Sequence, residues 1–152
     1  MTIEKANSND SEALTAITKK SKAYWGYSDA RIELWDDLLT ITKKYIEAKL
    51  VYKIVIDGTA VGYYSFFPEN EYTVRLDNLF ILPEYIGKGI GKLLMDDFMM
   101  RIATTGVKKV ILDADPNAEL FYTKLGFVKI GELKTSIKDR FLPVMELNVK
   151  PE

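Results

Sequence analysis

A glycine-dense run at residues 82–92 contains the residues most able to do chemistry in this sequence. Its sequence is LPEYIGKGIGK, and it lies between an apolar, strand-like segment and an amphipathic, helix-like segment. The first backbone N–H groups of a helix have no intrahelical partner, and the helix dipole places positive charge behind them. Glycines also let the backbone approach an anion closely. The pattern therefore favours a phosphate or pyrophosphate site at the start of the helix.

Two common phosphate motifs do not fit this loop. The dinucleotide fingerprint G-x-G-x-x-G would need glycine where Lys92 or Leu94 stands. The Walker A loop G-x-x-x-x-G-K-[ST] would need glycine at Ile86 and a hydroxyl residue at Leu93. A tight turn whose glycines serve only packing stays open as the alternative. The loop indicates an anion site without either nucleotide-binding motif.

The amino-acid composition restricts the chemistry further. The sequence contains no cysteine and no histidine. This excludes disulfides, thiol nucleophiles, Ser-His triads and the commonest zinc ligands, so we expect no metal. Acid–base chemistry has to use carboxylates, tyrosine, lysine, the chain terminus or water.

Length and charge set the class of protein. The 152 residues, of which 47% are hydrophobic and 28% charged, predict one globular domain over residues 1–152. The net charge of −1 gives no indication of nucleic-acid binding. No apolar run is long enough to span a membrane, and Met1–Lys5 does not begin a signal peptide. We therefore expect a cytoplasmic protein with no membrane partner.

The elements that must position the loop follow from hydrophobic periodicity. The predicted order is β-α-α-β-β-β-α-β-α-β-β. Strands are predicted at residues 3–6, 51–56, 60–67, 72–82, 107–112, 127–133 and 142–149. Asp57-Gly58 predicts a hairpin turn. The strand–helix–strand unit over 77–112 should be parallel, so the sheet is mixed.

The helices are predicted from their caps and apolar faces. A capping box at Asn9 and Glu12 predicts the first helix, and a broad apolar face predicts a second helix over 32–41. A third should cover 93–102 with Gly106 as its C-terminal cap, and a short fourth covers 116–125 and is closed by Gly126.

With this element order, the chain resembles the GNAT superfamily of N-acetyltransferases. The loop Ile86-Gly87-Lys88-Gly89-Ile90-Gly91 fits the family signature Gln/Arg-x-x-Gly-x-Gly/Ala from Gly89 onward, and Ile86 departs from it. Residues 115–127, DPNAELFYTKLGF, look like the second conserved region of the family, one helix and one strand after the loop. The resemblance covers residues 51–127 well and the N-terminal third by element order only.

The resemblance implies a mixed α/β fold of a single domain. Its sheet is mostly antiparallel, with helices on both faces and a central parallel strand pair splayed around a cleft for CoA. It implies direct transfer of an acetyl group from acetyl-CoA to a primary amine of a small molecule or a protein. A non-catalytic acyl-CoA-binding or regulatory module and the transfer of longer acyl or aminoacyl groups stay open as alternatives.

The resemblance also implies roles for particular residues in holding acetyl-CoA. The main chain of Phe80, Ile81 and Leu82 would bond the pantetheine amides, and a backbone N–H there would stabilise the thioester oxygen. Asn117 would hydrogen-bond the pantetheine arm, although a helix N-cap is its ordinary alternative. The pyrophosphate would be held by the backbone amides of Gly87, Lys88, Gly89, Ile90, Gly91 and Lys92. Lys88 and Lys92 could add charge, or be ordinary solvated lysines.

Tyr122 is the predicted general acid. A phenol near the sulfur can protonate the leaving thiolate, since its usual pKa of about 10 keeps it protonated at neutral pH. A core tyrosine is the alternative. Asp77 is the first candidate for the general base, with Glu33 and Glu84 as weaker ones; the amine could also arrive neutral.

The acceptor site is predicted in the segment after the first helix. Tyr24, Trp25 and Tyr27, with Trp35 and nearby carboxylates, could bind an alkylammonium group by cation–π and ionic attraction. A hydrophobic lid with a solvated acidic face is the alternative. The stretch 135–143, with Arg140, could form the other wall. By analogy with the family, a homodimer could form through the terminal strand 142–149.

Overall fold

The computed structural model describes residues 1–137 and 139–150. These residues contain seven strands and six α-helices, joined by loops and short 3₁₀ turns. The strands are β1 (Thr2–Lys5), β2 (Leu50–Ile56), β3 (Thr59–Pro68), β4 (Thr73–Ile81), β5 (Lys109–Asp113), β6 (Val128–Lys134) and β7 (Phe141–Asn148). The helices are α1 (Ser11–Tyr24), α2 (Asp29–Leu34), α3 (Asp36–Leu39), α4 (Lys43–Ala48), α5 (Ile90–Ile102) and α6 (Glu119–Lys124). Each strand lies within two residues of its predicted bounds.

The strands form one sheet in the order β1-β2-β3-β4-β5-β7-β6. β4 and β5 are parallel, whereas β2 is antiparallel to β1 and β3, and β7 is antiparallel to β5 and β6. The predicted mixed, mostly antiparallel α/β fold is therefore confirmed. The chain divides into two compact units, and β4 passes from the second into the first. The expectation of one domain over residues 1–152 stays a prediction.

The first unit comprises Met1–Phe66 and Asn78–Met100. Its β2–β3 hairpin turns at Asp57 and Gly58, as predicted, with φ values of 50° and 78°. Positive φ at both positions gives a type I′ turn, whose twist suits the flanking strands. Its core cluster consists of Ala6, Leu14, Ile17, Ile41, Ile46, Val51 and Tyr63.

Two predictions about helices in this unit are wrong. The capping box forms at Asn7 and Asp10, each side chain accepting a 2.9 Å bond from a backbone N–H, and it caps a 3₁₀ turn (Ser8–Asp10) before α1. The apolar run over 32–41 is not one helix, because Trp35, at φ −91° and ψ 11°, separates α2 from α3. Thr42 then caps α4 by accepting a 3.0 Å bond from the N–H of Tyr45.

The second unit comprises Phe67–Asp77 and the chain from Arg101 onward. The parallel register pairs Thr73–Arg75 with Lys109–Ile111. Arg75 marks the end of this register, where its guanidinium donates to Asp113 at 3.0 Å and pairs with Glu69.

The terminal strand β7 lies between β5 and β6. Both of its edges are therefore paired within the chain, so this strand offers no free edge to a second copy, and a homodimer stays a prediction. The exposed edge of this unit belongs to β6, all of whose residues are exposed.

No helix among the described residues is both long enough and apolar enough to cross a membrane. Within the same residues, no group of three or more carboxylates is arranged to hold a metal ion.

Candidate functional site

The glycine loop leads directly into α5, which begins at Ile90, three residues earlier than predicted. The carbonyl of Gly89 accepts a 3.1 Å hydrogen bond from the N–H of Leu93, and this bond closes the first turn of α5. The next amides, from Ile90 to Lys92, belong to the first turn, whose N–H groups have no intrahelical acceptor. The helix ends at Ile102, before the turn that contains Gly106, so the predicted cap at Gly106 is wrong.

The loop backbone requires glycine at two positions. Gly87 and Gly89 have φ values of 83° and 80°, a region that side chains with a Cβ rarely adopt. A Cβ built on either residue would meet nothing within 4 Å. Close packing therefore does not explain why these two positions are glycine. The positive φ angles explain it, and the space beside the loop is open. This argues against the alternative in which the glycines serve only packing.

The helix behind the loop is firmly anchored in the first unit. Ile90, Leu94 and Phe98 are buried at every fourth position. The ring of Phe98 lies edge-on to Tyr64 and Phe66, with centroids 5.6 and 5.0 Å apart. The hydroxyl of Tyr64 also donates a 2.5 Å bond to the carboxylate of Asp97. The first turn of α5 is therefore held in place independently of any ligand.

The two lysines of the loop are exposed and have local partners. Lys92 forms a 2.9 Å ion pair with Asp96 one turn along α5. The ammonium of Lys88 lies 5.4 Å from the ring centroid of Tyr85. Exposed pairs of this kind contribute little to stability, so both side chains can turn toward an anion at small cost.

The hydrogen bonding of β4 corrects the prediction for its main chain. The N–H of Leu82 donates a 2.8 Å bond to the carbonyl of Val61, and the carbonyl of Phe80 faces Gly62 on the same neighbouring strand. Backbone groups of successive residues in a strand point to alternate sides. Phe80 and Leu82 therefore direct their backbone groups toward β3, and Leu79 and Ile81 direct theirs to the other side. Of the three predicted residues, only Ile81 is oriented to bond a ligand there.

Asp77 and Asn78 leave opposite faces of β4 because successive side chains in a strand alternate. Asp77, the predicted base, is exposed. The Asn78 amide is held among hydroxyls, and its nitrogen donates to Ser65 at 3.0 Å and to Tyr45 at 3.1 Å. Sequence reasoning missed this cluster, since its members come from three separate elements.

Tyr122 is positioned by the end of α6. The N–H of Phe127 donates to the Tyr122 carbonyl at 3.1 Å and that of Gly126 to Thr123 at 3.0 Å, with Gly126 at φ 99°. These bonds define a Schellman motif, which usually brings an apolar contact with it. Here the rings of Tyr122 and Phe127 meet edge-on at 5.5 Å. The predicted closure of this helix by Gly126 is confirmed.

The Tyr122 side chain is buried, at 7% exposure. Burial, and secondly the charge of Asp115, raise the pKa of its phenol above the usual value. The phenol therefore holds its proton at any physiological pH, and it is a weaker acid than an exposed tyrosine. Burial is also what a core tyrosine shows, so the general-acid role stays a prediction.

Asp115 organises the segment before α6, a role that the sequence did not reveal. Its carboxylate accepts from the backbone N–H of Asn117 at 2.9 Å, from the Asn117 side-chain amide at 3.0 Å and from Arg140 at 3.5 Å. Asp115 is thus the N-cap of the 3₁₀ turn Pro116–Ala118, and the alternative that assigned this cap to Asn117 is wrong. The Asn117 side chain is exposed and oriented by Asp115.

The aromatic residues predicted at the acceptor site separate into two groups. Tyr24 and Trp25 are 53% and 43% exposed and contact each other at 5.1 Å. Tyr27 instead packs edge-on against Trp35, also at 5.1 Å. The ammonium of Lys22 lies 5.5 Å from the Tyr27 ring and 5.5 Å from that of Phe80. Lys22 therefore lies between Tyr27 and Phe80 of β4, whereas Tyr24 and Trp25 form a more exposed pair of their own.

Comparison with known proteins agrees with this architecture. The family model described as an acetyltransferase (GNAT) domain matches residues 26–147. The uncharacterized N-acetyltransferase ycf52 of Pyropia yezoensis is 24% identical over 91 residues, which are 60% of this chain and 52% of that protein. The chain spans about half the length of the curated relatives it matches.

Solved structures share the fold over nearly the whole chain. A GCN5-related N-acetyltransferase from Rhodopseudomonas palustris superimposes with a TM-score of 0.80 at 21% identity, covering 97% of this chain and 94% of that one. The PaiA N-acetyltransferase of Thermoplasma acidophilum, solved in complex with coenzyme A, gives a TM-score of 0.79 at 23% identity and covers 97% and 99%.

Proposed function

Since the chain belongs to the GNAT acetyltransferase family, we propose that it transfers the acetyl group of acetyl-CoA to a primary amine of a small molecule or a protein. The observation that carries the proposal is the loop at Gly87 and Gly89, whose positive-φ backbone has open space beside it before the first turn of α5. A pyrophosphate is the ligand that such a helix start favours.

The first unit supplies the groups that would hold acetyl-CoA. Amides from Gly87 to Lys92 would donate to the pyrophosphate, with Lys88 and Lys92 free to turn toward it. The main chain of Ile81, which points away from β3, would bond a pantetheine amide. The solved fold relative from Thermoplasma acidophilum contains coenzyme A, which supports this ligand class.

The second unit supplies the proposed acid and an anchoring amide. Asn117, oriented by Asp115, would bond the pantetheine arm. In the reaction the amine nitrogen forms a bond to the thioester carbonyl carbon, and the carbon–sulfur bond breaks. The phenol of Tyr122 would give its proton to the departing sulfur, and the amine gives up one proton.

We propose that Asp77 accepts the amine proton through a water molecule. Its exposed position on β4 suits a relay through solvent better than direct contact. An amine that arrives neutral needs no such group. Replacing Asp77 by Asn therefore separates the two routes, because only the first loses rate at neutral pH.

Titration calorimetry with acetyl-CoA, CoA and NAD tests the proposal. We expect micromolar binding of acetyl-CoA and CoA and none of NAD. A screen of amines with thiol detection would then reveal the acceptor. If neither CoA species binds, the loop is only a turn and the proposal is overturned.

A further inference from the structure

The side chain of Lys22 is surrounded by aromatic rings in the first unit. Its ammonium nitrogen lies 5.5 Å from the centroid of Tyr27, 6.0 Å from that of Trp35 and 5.5 Å from that of Phe80. All three distances are within the range of cation–π attraction. We call Tyr27, Trp35 and Phe80 the ammonium cage.

The cage is a product of the fold, not of local sequence. Tyr27 lies between α1 and α2, Trp35 between α2 and α3, and Phe80 on β4. The first two rings fix each other edge-on at 5.1 Å, and Phe80 packs against Tyr63 at 6.1 Å. The rings are therefore held in position by neighbours other than Lys22.

The helices that carry or flank two of the cage rings have more acidic than basic side chains. Helices α2 and α3 carry four exposed carboxylates and one guanidinium. That guanidinium, of Arg31, itself lies 5.6 Å from the Trp35 ring. Lys22 occupies the last turn of α1 and is half-buried, so rotation of its flexible stem can remove the ammonium from the rings.

We propose that the ammonium cage is a binding subsite for the acceptor, and that Lys22 is a built-in occupant which a substrate ammonium displaces. The inference rests on the proposed function in one respect, namely that the substrate is an amine. The occupant and the ligand have the same chemistry, because a primary ammonium on an alkyl chain is what the rings already hold.

The chemistry of the cage identifies the class of acceptor. Cation–π attraction stabilises the charged form of an amine, whereas the nucleophile in acetyl transfer has to be neutral. The caged nitrogen is therefore not the one that reacts. The acceptor is an amine with a second, cationic nitrogen, which the cage holds while the neutral amine reaches the thioester beside Ile81.

The test uses tetramethylammonium, a cation that cannot be acetylated, and tert-butanol as its neutral counterpart of similar shape. Replacing Trp25 by Phe leaves Trp35 as the only tryptophan and hence the reporter of the cage. Binding is measured in this background with Lys22→Ala and with Lys20→Ala, the matched control for an exposed lysine on the same helix.

Lys22→Ala should bind tetramethylammonium about tenfold more tightly than the parent, because the competitor is gone. Lys20→Ala should bind it as the parent does, and Tyr27→Leu should abolish the gain. Unchanged or weaker binding in Lys22→Ala overturns the proposal, as does equal affinity for tert-butanol. Acetate is the anionic probe. If the parent binds acetate and Lys22→Ala does not, Lys22 is a counter-charge for an anionic acceptor and the proposal is overturned.

The acceptor class has its own readout. The rate of acetylation should be higher for 1,4-diaminobutane than for 1-aminobutane, and Tyr27→Leu should remove the preference. Equal use of both amines, or use of neither, overturns this part. Acetyl-CoA binding measured in the same variants reports on the proposed function separately, since no cage side chain is needed to hold the pyrophosphate.

Discussion

The N–H of Leu82 donates a 2.8 Å hydrogen bond to the carbonyl oxygen of Val61. This one bond determines which amides of β4 are available to a ligand, because the alternate amides, of Leu79 and Ile81, point away from β3. Hydrogen exchange followed by NMR should therefore show slow exchange at Leu82 without ligand. Acetyl-CoA should slow exchange at Ile81 by about tenfold or more. A gain of protection at Leu82 in place of Ile81 would contradict the assignment.

Gly89→Gln should lose acetyl-CoA binding by more than about 1.4 kcal/mol, which is tenfold in affinity. The new side chain would fill the open space beside the loop. Gly106→Gln is the matched control, since Gly106 has a similar φ of 83° and equally open surroundings. Both variants should lose about 1 kcal/mol of stability from the strained backbone. Equal binding by both, measured by calorimetry, would refute a ligand site at the loop.

Tyr122→Phe should lower kcat by about 10²-fold or more while the affinity for acetyl-CoA stays within about twofold. The raised pKa of Tyr122 means that its phenol stays protonated above pH 10, the usual value for tyrosine. The wild-type rate should accordingly show no fall from this group between pH 7 and about pH 10. An unchanged kcat in the variant across that range would assign Tyr122 to the core alone.

The same pKa has a consequence for stability. An unfolded tyrosine ionises at about pH 10, whereas the buried phenol of Tyr122 resists ionisation, so this group favours unfolding as the pH rises above 10. Tyr122→Phe should therefore lose less thermal stability than wild type between pH 9 and about pH 11. If the melting temperatures of the two proteins fall equally over this range, the phenol ionises as readily in the folded as in the unfolded protein, and the prediction is wrong.

Asp115→Asn should shift the titration of Tyr122 toward lower pH, because the negative charge of Asp115 is one of the two causes that raise this pKa. The amide can still cap the 3₁₀ turn, so the fold should be kept. Ultraviolet titration of tyrosinate, with Tyr122→Phe as the reference that identifies the signal, measures the shift. A titration that moves upward or stays fixed would remove Asp115 from the electrostatics of the phenol.

We expect self-association through β6. Its outer edge has no partner among the described strands, and Val128, Ile130 and Leu133 on it are 63%, 51% and 46% exposed. We expect a dimer in sedimentation velocity that Ile130→Lys disrupts. Leu120→Lys is the control, since Leu120 is 65% exposed on α6. A dimer that survives Ile130→Lys would place the interface elsewhere.

Local sequence signals predicted the strands, the hairpin and the loop because each depends on a few adjacent residues. Asp57-Gly58 determines its own turn, and Gly126 its own cap. The break at Trp35 was not predictable in the same way, since the apolar spacing from Ile32 to Ile41 is continuous across it. The capping box moved from Asn9 to Asn7 because both positions carry a suitable side chain.

The parts of the site that depend on distant contacts could not be predicted. Which amides of β4 face a ligand depends on the position of Val61 in the neighbouring strand. The ammonium cage depends on the position of Phe80 beside Lys22, and the hydrogen bonds of Asp115 include one from Arg140. No periodicity or motif in one segment contains information about these partners.

The position of β7 between β5 and β6 also sets the order in which the second unit can be completed during synthesis. β6 leaves the ribosome before β7, yet β7 is its neighbour in the sheet. Until β7 has emerged, β6 has no strand to pair with and β5 has an open side. A nascent chain stalled before Phe141 should therefore present the unpaired β6 and one open edge of β5 to chaperones and proteases at once. The strand made after β5 and β6 is the one that protects them both.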